Sequence, residues 1–215
     1  MKDIVLSGIQ WSGKGTQCEL LLKKFGNKIS YFEAGGILRA LQSKPNAIWK
    51  YIWSIIDNGN LLPDQFMVKI FDLFLFSLEQ DKSILVDGFP RQIPQMHAFL
   101  EMMKTYNRDY KTIVLDISRE EAIKRLTSRR MCKTCWAILN TNLHNCEKCP
   151  ICNSSDIYQR EDDKDITSIE TRIDLFENQT KPVIEYLQKE GVVTIINWNQ
   201  SPEKVFEEIV AVIGW

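Results

Sequence analysis

The amino-acid sequence predicts an α/β fold: a parallel five-stranded sheet flanked by helices, interrupted by a helical insertion and by a small cysteine-rich one. Three observations predict it. Short runs rich in β-branched residues recur between longer helical stretches, the alternation that builds a parallel sheet with right-handed crossovers. All but the second of these runs show little polar alternation, as expected of strands that helices cover on both faces. One polar, cysteine-rich segment, 131–164, has no helical period and breaks the rhythm.

In chain order, a strand over 4–6 leads through a glycine-rich turn into a helix over 16–25, and a second strand covers 29–32. Helices over 36–42, 48–57 and 63–79 then separate two strands, which marks 34–79 as an insertion. A strand over 84–86, a helix over 94–106, a strand over 112–115 and a helix over 119–130 restore the alternation. After the cysteine-rich segment come a helix over 166–189, a strand over 192–196 and a helix over 202–213. Pro63 and Pro202 suit first-turn positions, where a missing N–H costs nothing, and Ser201 suits the N-cap before Pro202. The core is thus assigned to 1–33, 80–130 and 165–215.

The 215 residues suffice for one sizeable core plus a smaller subdomain, and 44% apolar with 26% charged residues is ordinary globular composition. With 27 basic against 28 acidic side chains, the net charge of -1 gives no support to nucleic-acid polymer binding, which rests on basic surface and counterion release. The apolar run at 4–6 is too short for a signal peptide, and no stretch approaches the roughly 20 apolar residues that span a bilayer. A cytoplasmic monomer without membrane attachment is expected. In a reducing compartment its cysteines read as thiols or metal ligands before disulfides.

Gly8-Ile9-Gln10-Trp11-Ser12-Gly13-Lys14-Gly15-Thr16 follows the first strand and opens the first helix, fitting G-x-x-x-x-G-K with Gly15 where Ser or Thr is usual. Glycines let backbone N–H groups turn inward around phosphate, the helix N-terminus adds partial positive charge, and Lys14 reaches the transferring phosphates. The context makes the fold P-loop NTPase-like. Asp87-Gly88-Phe89-Pro90-Arg91 follows the third strand, so Asp87 faces the crevice where such sheets bind ligands. Asp87 suits Mg²⁺ held through water, and Arg91 suits a bidentate clamp on phosphate.

Cys132-x2-Cys135 and Cys149-x2-Cys152 have the spacing of a four-thiolate zinc site, and a subdomain of this size needs such a staple to fold. Cys146 leaves a rival pairing, Cys146 with Cys149; the ribbon-like Cys-Pro-Ile-Cys favours Cys149 with Cys152. Cys18, on the first helix, reads as a small buried residue.

Gly13-Lys14-Gly15-Thr16-Gln17 resembles the G-K-G-T-Q of nucleoside monophosphate kinases, particularly adenylate kinases, with Gln10-Trp11 in place of their Pro-Gly. A side chain at 11 disfavours the positive φ that glycine adopts freely. The Asp87–Arg91 pentapeptide resembles the adenylate kinase motif residue for residue, and the likeness runs on through Gln95. Ala34-Gly35-Gly36-Ile37-Leu38-Arg39 is similar to T-G-D-x-L-R, and Gly59-Asn60-Leu61-Leu62-Pro63-Asp64 to G-x-L-V-x-D. Tyr158-Gln159-Arg160-Glu161-Asp162-Asp163 resembles the Y-x-R-x-D-D that leaves the lid, and the zinc pairs fall where the family carries its lid knuckles.

The resemblance implies Mg²⁺-dependent phosphoryl transfer between ATP and AMP, with 34–79 as the monophosphate-binding insertion and 131–164 as the lid. It places ATP against Gly13, Lys14, Gly15, Thr16, Arg125 and Arg129. It places AMP against Ala34, Gly35, Arg39, Leu61, Leu62, Gly88, Arg91, Gln95, Arg160 and Arg172, with Gln95 reading adenine. Lys14, Arg91, Arg125, Arg129, Arg160 and Arg172 form the catalytic cations. Arg125 and Arg129, four apart, are expected on one helical face. No general base is assigned, and His97 and His144 read as surface residues. Three other readings remain on the residues: a UMP/CMP kinase, motivated by Ala34; a nucleotide-binding scaffold with an impaired phosphate loop, motivated by Trp11; and a nucleic-acid-binding cysteine ribbon.

Overall fold

The structure is a computed structural model describing residues 2–41, 46–56, 60–79, 81–142 and 145–214, with Asp162 described in its backbone only. Gly59 and His144, both singled out from the sequence, lie outside the described residues. Five strands, β1 (Asp3–Ser7), β2 (Ile29–Glu33), β3 (Ser83–Asp87), β4 (Tyr110–Asp116) and the later Val193–Asn197, form one sheet in the order β2-β3-β1-β4 and then that last strand. Every neighbouring pair is parallel, as the sequence predicts.

Successive side chains of a strand point to opposite faces, and the core divides accordingly. Val5, Ile84 and Val86 pack with Phe32, Phe71, Phe89 and Phe99 on one face. Ile4, Leu6, Leu85, Ile113 and Leu115 pack on the other with Cys18, Leu21, Val205 and Ile209. Those partners lie on α1 (Lys14–Phe25) and on the C-terminal helix Pro202–Ile213, for which Ser201 Oγ accepts the capping bond from the Lys204 N–H. Cys18 is buried there, as expected. At the sheet's amino end the buried Asp3 is fully partnered: Arg108 binds both carboxylate oxygens, at 2.6 and 2.8 Å, and the Ile84 N–H donates to one.

Between β2 and β3 stand α2 (Ala34–Leu41), α3 (Ala47–Ile56) and α4 (Asp64–Phe76). Pro63 sits just before α4 as its N-cap rather than in its first turn. Beyond α5 (Ile93–Thr105), the sequence expectation fails at one place. The helix foreseen over 119–130 ends early: α6 covers Arg119–Thr127, and β5 (Arg129–Cys132) begins directly after Ser128. β5 pairs antiparallel with β6 (Ile138–Asn140) and β7 (Ile157–Tyr158), making a separate three-stranded sheet. Helical spacing from Arg125 to Arg129 is therefore broken by long-range strand pairing, which a local period cannot show.

The helix foreseen over 166–189 is helical throughout, as α7 (Ile166–Leu175), a π turn at Phe176–Thr180 and α8 (Lys181–Lys189), and leads to β8 (Val193–Asn197) and α9 (Pro202–Ile213). π turns of this kind recur beside functional sites, and here Thr180 Oγ1 donates to the Arg91 carbonyl. Among the described residues, no helix is long and apolar enough to cross a membrane.

Candidate active site

The carboxyl ends of β1 and β3 meet beside the strand at which chain order reverses, where parallel sheets bind ligands. The loop after β1 is a tight cradle. Lys14 Nζ donates to the carbonyls of Gly8 at 2.8 Å and Ile9 at 3.0 Å, so its charge lies within the loop. Gly13 caps α1 at φ 89°, and a Cβ there would collide with the Trp198 ring, which leaves glycine alone for the position. Gly15 opens the helix with open space around it, and Thr16 is exposed in the first turn. Trp11 does adopt the positive φ, 67°, that a side chain resists. Its indole packs against the cluster of Ile9, Ala122, Leu126, Ile169 and Ile173, stacks beneath Arg129 at 5.2 Å and borders the cleft in front of Lys14, and this packing holds the residue there.

A cleft of about 470 Å³ opens in front of Lys14. Asp87, Gly88, Arg91 and Gln95 line it from the β3 side; Ala34, Gly35, Arg39, Leu61 and Leu62 line it from the helical insertion. Arg91 is steered by its own turn, Nε donating to the Gly88 carbonyl at 2.9 Å. Burial pushes the Asp87 carboxyl up, while Lys14 and Arg91 pull it down. Gln95 is buried, accepting from the Arg91 N–H and donating to Asp64, each at 2.9 Å. Those bonds hold its amide at the cleft wall.

Arg129, Arg160 and Arg172 complete the far wall. Arg129 and Arg172 grip one buried carboxylate, Asp163: Arg129 in bidentate fashion and Arg172 Nη2 at 2.8 Å. Burial would raise the Asp163 carboxyl, but the two guanidiniums outweigh it and hold it below the usual carboxylate range. Arg125 stands apart from this group, stacked over Trp198 at 5.6 Å and paired with Glu121 at 2.6 Å. His97 is exposed, in edge contact with Tyr186.

Removing the Asp163 charge takes away the buried carboxylate that both guanidiniums share, a loss of about 3–5 kcal/mol. At roughly 2–4 °C per kcal/mol for a chain of this size, Asp163→Asn should melt on the order of 10 °C lower. Because the folded pKa is depressed, this stabilisation is present above the unfolded value and drains as pH falls through the folded one. Wild-type stability should therefore decline below about pH 4, and the decline should flatten in Asp163→Asn; equal melting temperatures at neutral pH would overturn this account.

In the cysteine segment, the sulfurs of Cys132, Cys135, Cys149 and Cys152 all lie within 4.8 Å of one another, and Cys146 is not of that group. Cys132–Cys152 and Cys135–Cys149 are 3.5 Å apart, near the roughly 3.8 Å that four 2.3 Å bonds to a tetrahedral zinc dictate. The two turns repeat one geometry. The N–H groups of Trp136 and Asn153, each at positive φ, donate to the carbonyls of Cys132 and Cys149, at 2.9 and 2.8 Å. Backbone N–H groups of Cys135 and Thr134 bring the Cys132 thiol down to about 6, and those of Cys152 and Ile151 lower Cys149, while burial and the neighbouring sulfurs push their partners Cys135 and Cys152 up. Thiolates of that kind are metal ligands.

Sequence reasoning missed Glu33, Asp163 and Trp198. Glu33 also lines the cleft, and only its place directly before the Ala34–Arg39 motif hinted at it. Asp163 stood within a quoted motif without a role. Trp198 had no motif to announce it.

Comparison with known proteins shows the family of the chain. The family model for adenylate kinase matches residues 6–192. The chain is 33% identical over 219 residues to an adenylate kinase of Lactobacillus helveticus, covering 100% of this chain and 99% of that protein. It is 34% identical to one of Elusimicrobium minutum (96% and 95% covered) and 30% identical to one of Archaeoglobus fulgidus (98% and 97% covered).

Proposed function

The chain belongs to the adenylate kinase family, and on that premise we propose that it moves a phosphoryl group reversibly between ATP and AMP, giving two ADP, as a cytoplasmic monomer. The observation that carries the reading is the convergence of Lys14, Arg39, Asp87 and Arg91 on one cleft. Phosphoryl transfer asks little covalent chemistry of a protein; it asks that several negative charges be neutralised and the oxygens aligned.

The donor polyphosphate lies along the loop N–H groups of Gly13, Gly15 and Thr16. Lys14 exchanges its bonds to the Gly8 and Ile9 carbonyls for phosphate oxygens. The acceptor phosphate is held by Arg39 and Arg91, its base by Leu61, Leu62 and Gln95, and Ala34, Gly35 and Gly88 give close backbone approach. Arg125 and Arg129 bind the donor's phosphates, and Arg160 and Arg172 span the gap. Asp87, a hard oxygen donor at the cleft, suits Mg²⁺ through water. Bound there with the donor, that ion would supply charge neutralisation to the transferring phosphate. Residues 34–79 carry the acceptor, 131–164 form the lid, stapled by zinc on Cys132, Cys135, Cys149 and Cys152, and the remainder is the core. Lid closure excludes water, so that the phosphoryl group passes to nucleotide and not to solvent.

ADP production from ATP with AMP, CMP or UMP, with and without Mg²⁺, tests the assignment. AMP should be strongly preferred and Mg²⁺ required. A preference for a pyrimidine acceptor would reject the acceptor assignment, and ATP binding without any ADP would leave only a nucleotide-binding scaffold.

A further inference from the structure

Glu33 ends β2 and faces Asp87, the last residue of β3, across the parallel ladder. Its carboxylate points into the cleft and takes Arg39 Nη2 at 2.5 Å. It also lies over Gly36: a Cβ built on Gly36 would stand 2.5 Å from Glu33 Oε2 and 2.9 Å from its Cδ. A side chain at 36 would therefore displace this carboxylate from the position in which it holds Arg39. Position 36 is also where the T-G-D-x-L-R pattern carries its aspartate.

We propose that Glu33 is a positioning residue of the acceptor site, supplying from the end of β2 the carboxylate that position 36 lacks and aiming Arg39 at the acceptor's phosphate. The proposal rests on the acceptor-site reading above. Its physical basis is preorganisation. An arginine on a long, partly exposed stem loses rotamer freedom when it binds phosphate, and a fixed carboxylate at its base takes that loss beforehand. One bond to Glu33 leaves the guanidinium further N–H donors for a phosphate oxygen. The pair is about 40% exposed on each side (43% and 39%), so it contributes little to global stability and its loss should not disturb the fold.

AMP binding measured by calorimetry without Mg²⁺ isolates Arg39 from any metal role of the neighbouring carboxylates. Glu33→Ala should weaken AMP about fivefold, the most that an exposed ion pair of this kind supplies, and raise the KM for AMP while the KM for ATP and the melting temperature stay put. Gly36→Asp alone should also weaken AMP, because the two carboxylates collide. The double variant Glu33→Ala, Gly36→Asp should recover most of the affinity, since each change makes room for the other. Glu33→Gln, which keeps the shape and loses the charge, should fall between wild type and Glu33→Ala and decides the matter should the alanine variant not fold. Glu33→Ala binding AMP within twofold of wild type, or more tightly, overturns the proposal, as does a double variant no better than Glu33→Ala. A wild-type chain that binds no AMP would instead overturn the acceptor-site reading itself.

Discussion

Lys14→Met is expected to lower kcat/KM for ADP formation by about 10³-fold or more while the protein remains folded. The ammonium group sits inside the loop on two carbonyls, at 2.8 and 3.0 Å, and adjoins the cleft that Asp87, Arg39 and Arg91 share. A preorganised donor aimed at developing charge in a water-poor site is worth about 10²–10³ in rate by itself. Lys14 carries a full charge as well, and burial lowers its pKa against the pull of Asp87, so the protein holds this cation in place at some cost. Methionine has a similar length and removes only the charge and its bonds. A coupled assay, run beside a melting curve that confirms folding, reads the result. Undiminished phosphotransfer in a folded Lys14→Met protein would mean that the loop is not the donor site.

The parts of the site legible from sequence are those whose chemistry is local. A strand, a glycine loop and a helix stand next to each other, so Gly8–Thr16 declared itself, and Asp87 did so because it ends a buried strand. The cysteine pairs declared themselves because each knuckle is one turn. What stayed hidden was set by distant partners. Arg129 leaves the helix of Arg125 because β5 finds β6 and β7, and neither glycine nor proline marks the break. Asp163 matters because the fold carries it to two arginines, one of them Arg129, far away in sequence. Glu33 escaped notice because its role depends on the space over Gly36, three residues along and visible only once strand and helix are joined. Trp11 was the converse: its backbone demand was plain from sequence, but the packing that meets it was not.

Cys149→Ser should release the lid's metal, from about one zinc per chain to almost none, and phosphotransfer should fall with it. The β5, β6 and β7 strands are short, four, three and two residues long, and such a sheet buries too little apolar surface to stand unaided. A structural zinc contributes on the order of 10 kcal/mol to small domains of this kind, and here it would tie the Cys132–Cys135 turn to the Cys149–Cys152 turn. Both turns carry the same backbone bonds and the same positive φ at their fifth residue, the repeated geometry that aims two thiols of each turn at one point. Loss of one thiolate removes a quarter of the coordination shell and exposes the rest to water. Metal content by mass spectrometry, together with protease sensitivity between 131 and 164, measures both consequences. Cys146→Ser is the control, since that sulfur is not in the group of four; it should keep its zinc and its activity. Retention of zinc by Cys149→Ser, or its loss from Cys146→Ser, would move the second knuckle. Arg129 begins the same strand that ends in Cys132, so loosening of that strand in Cys149→Ser should also disturb the guanidinium that Asp163 holds at the cleft.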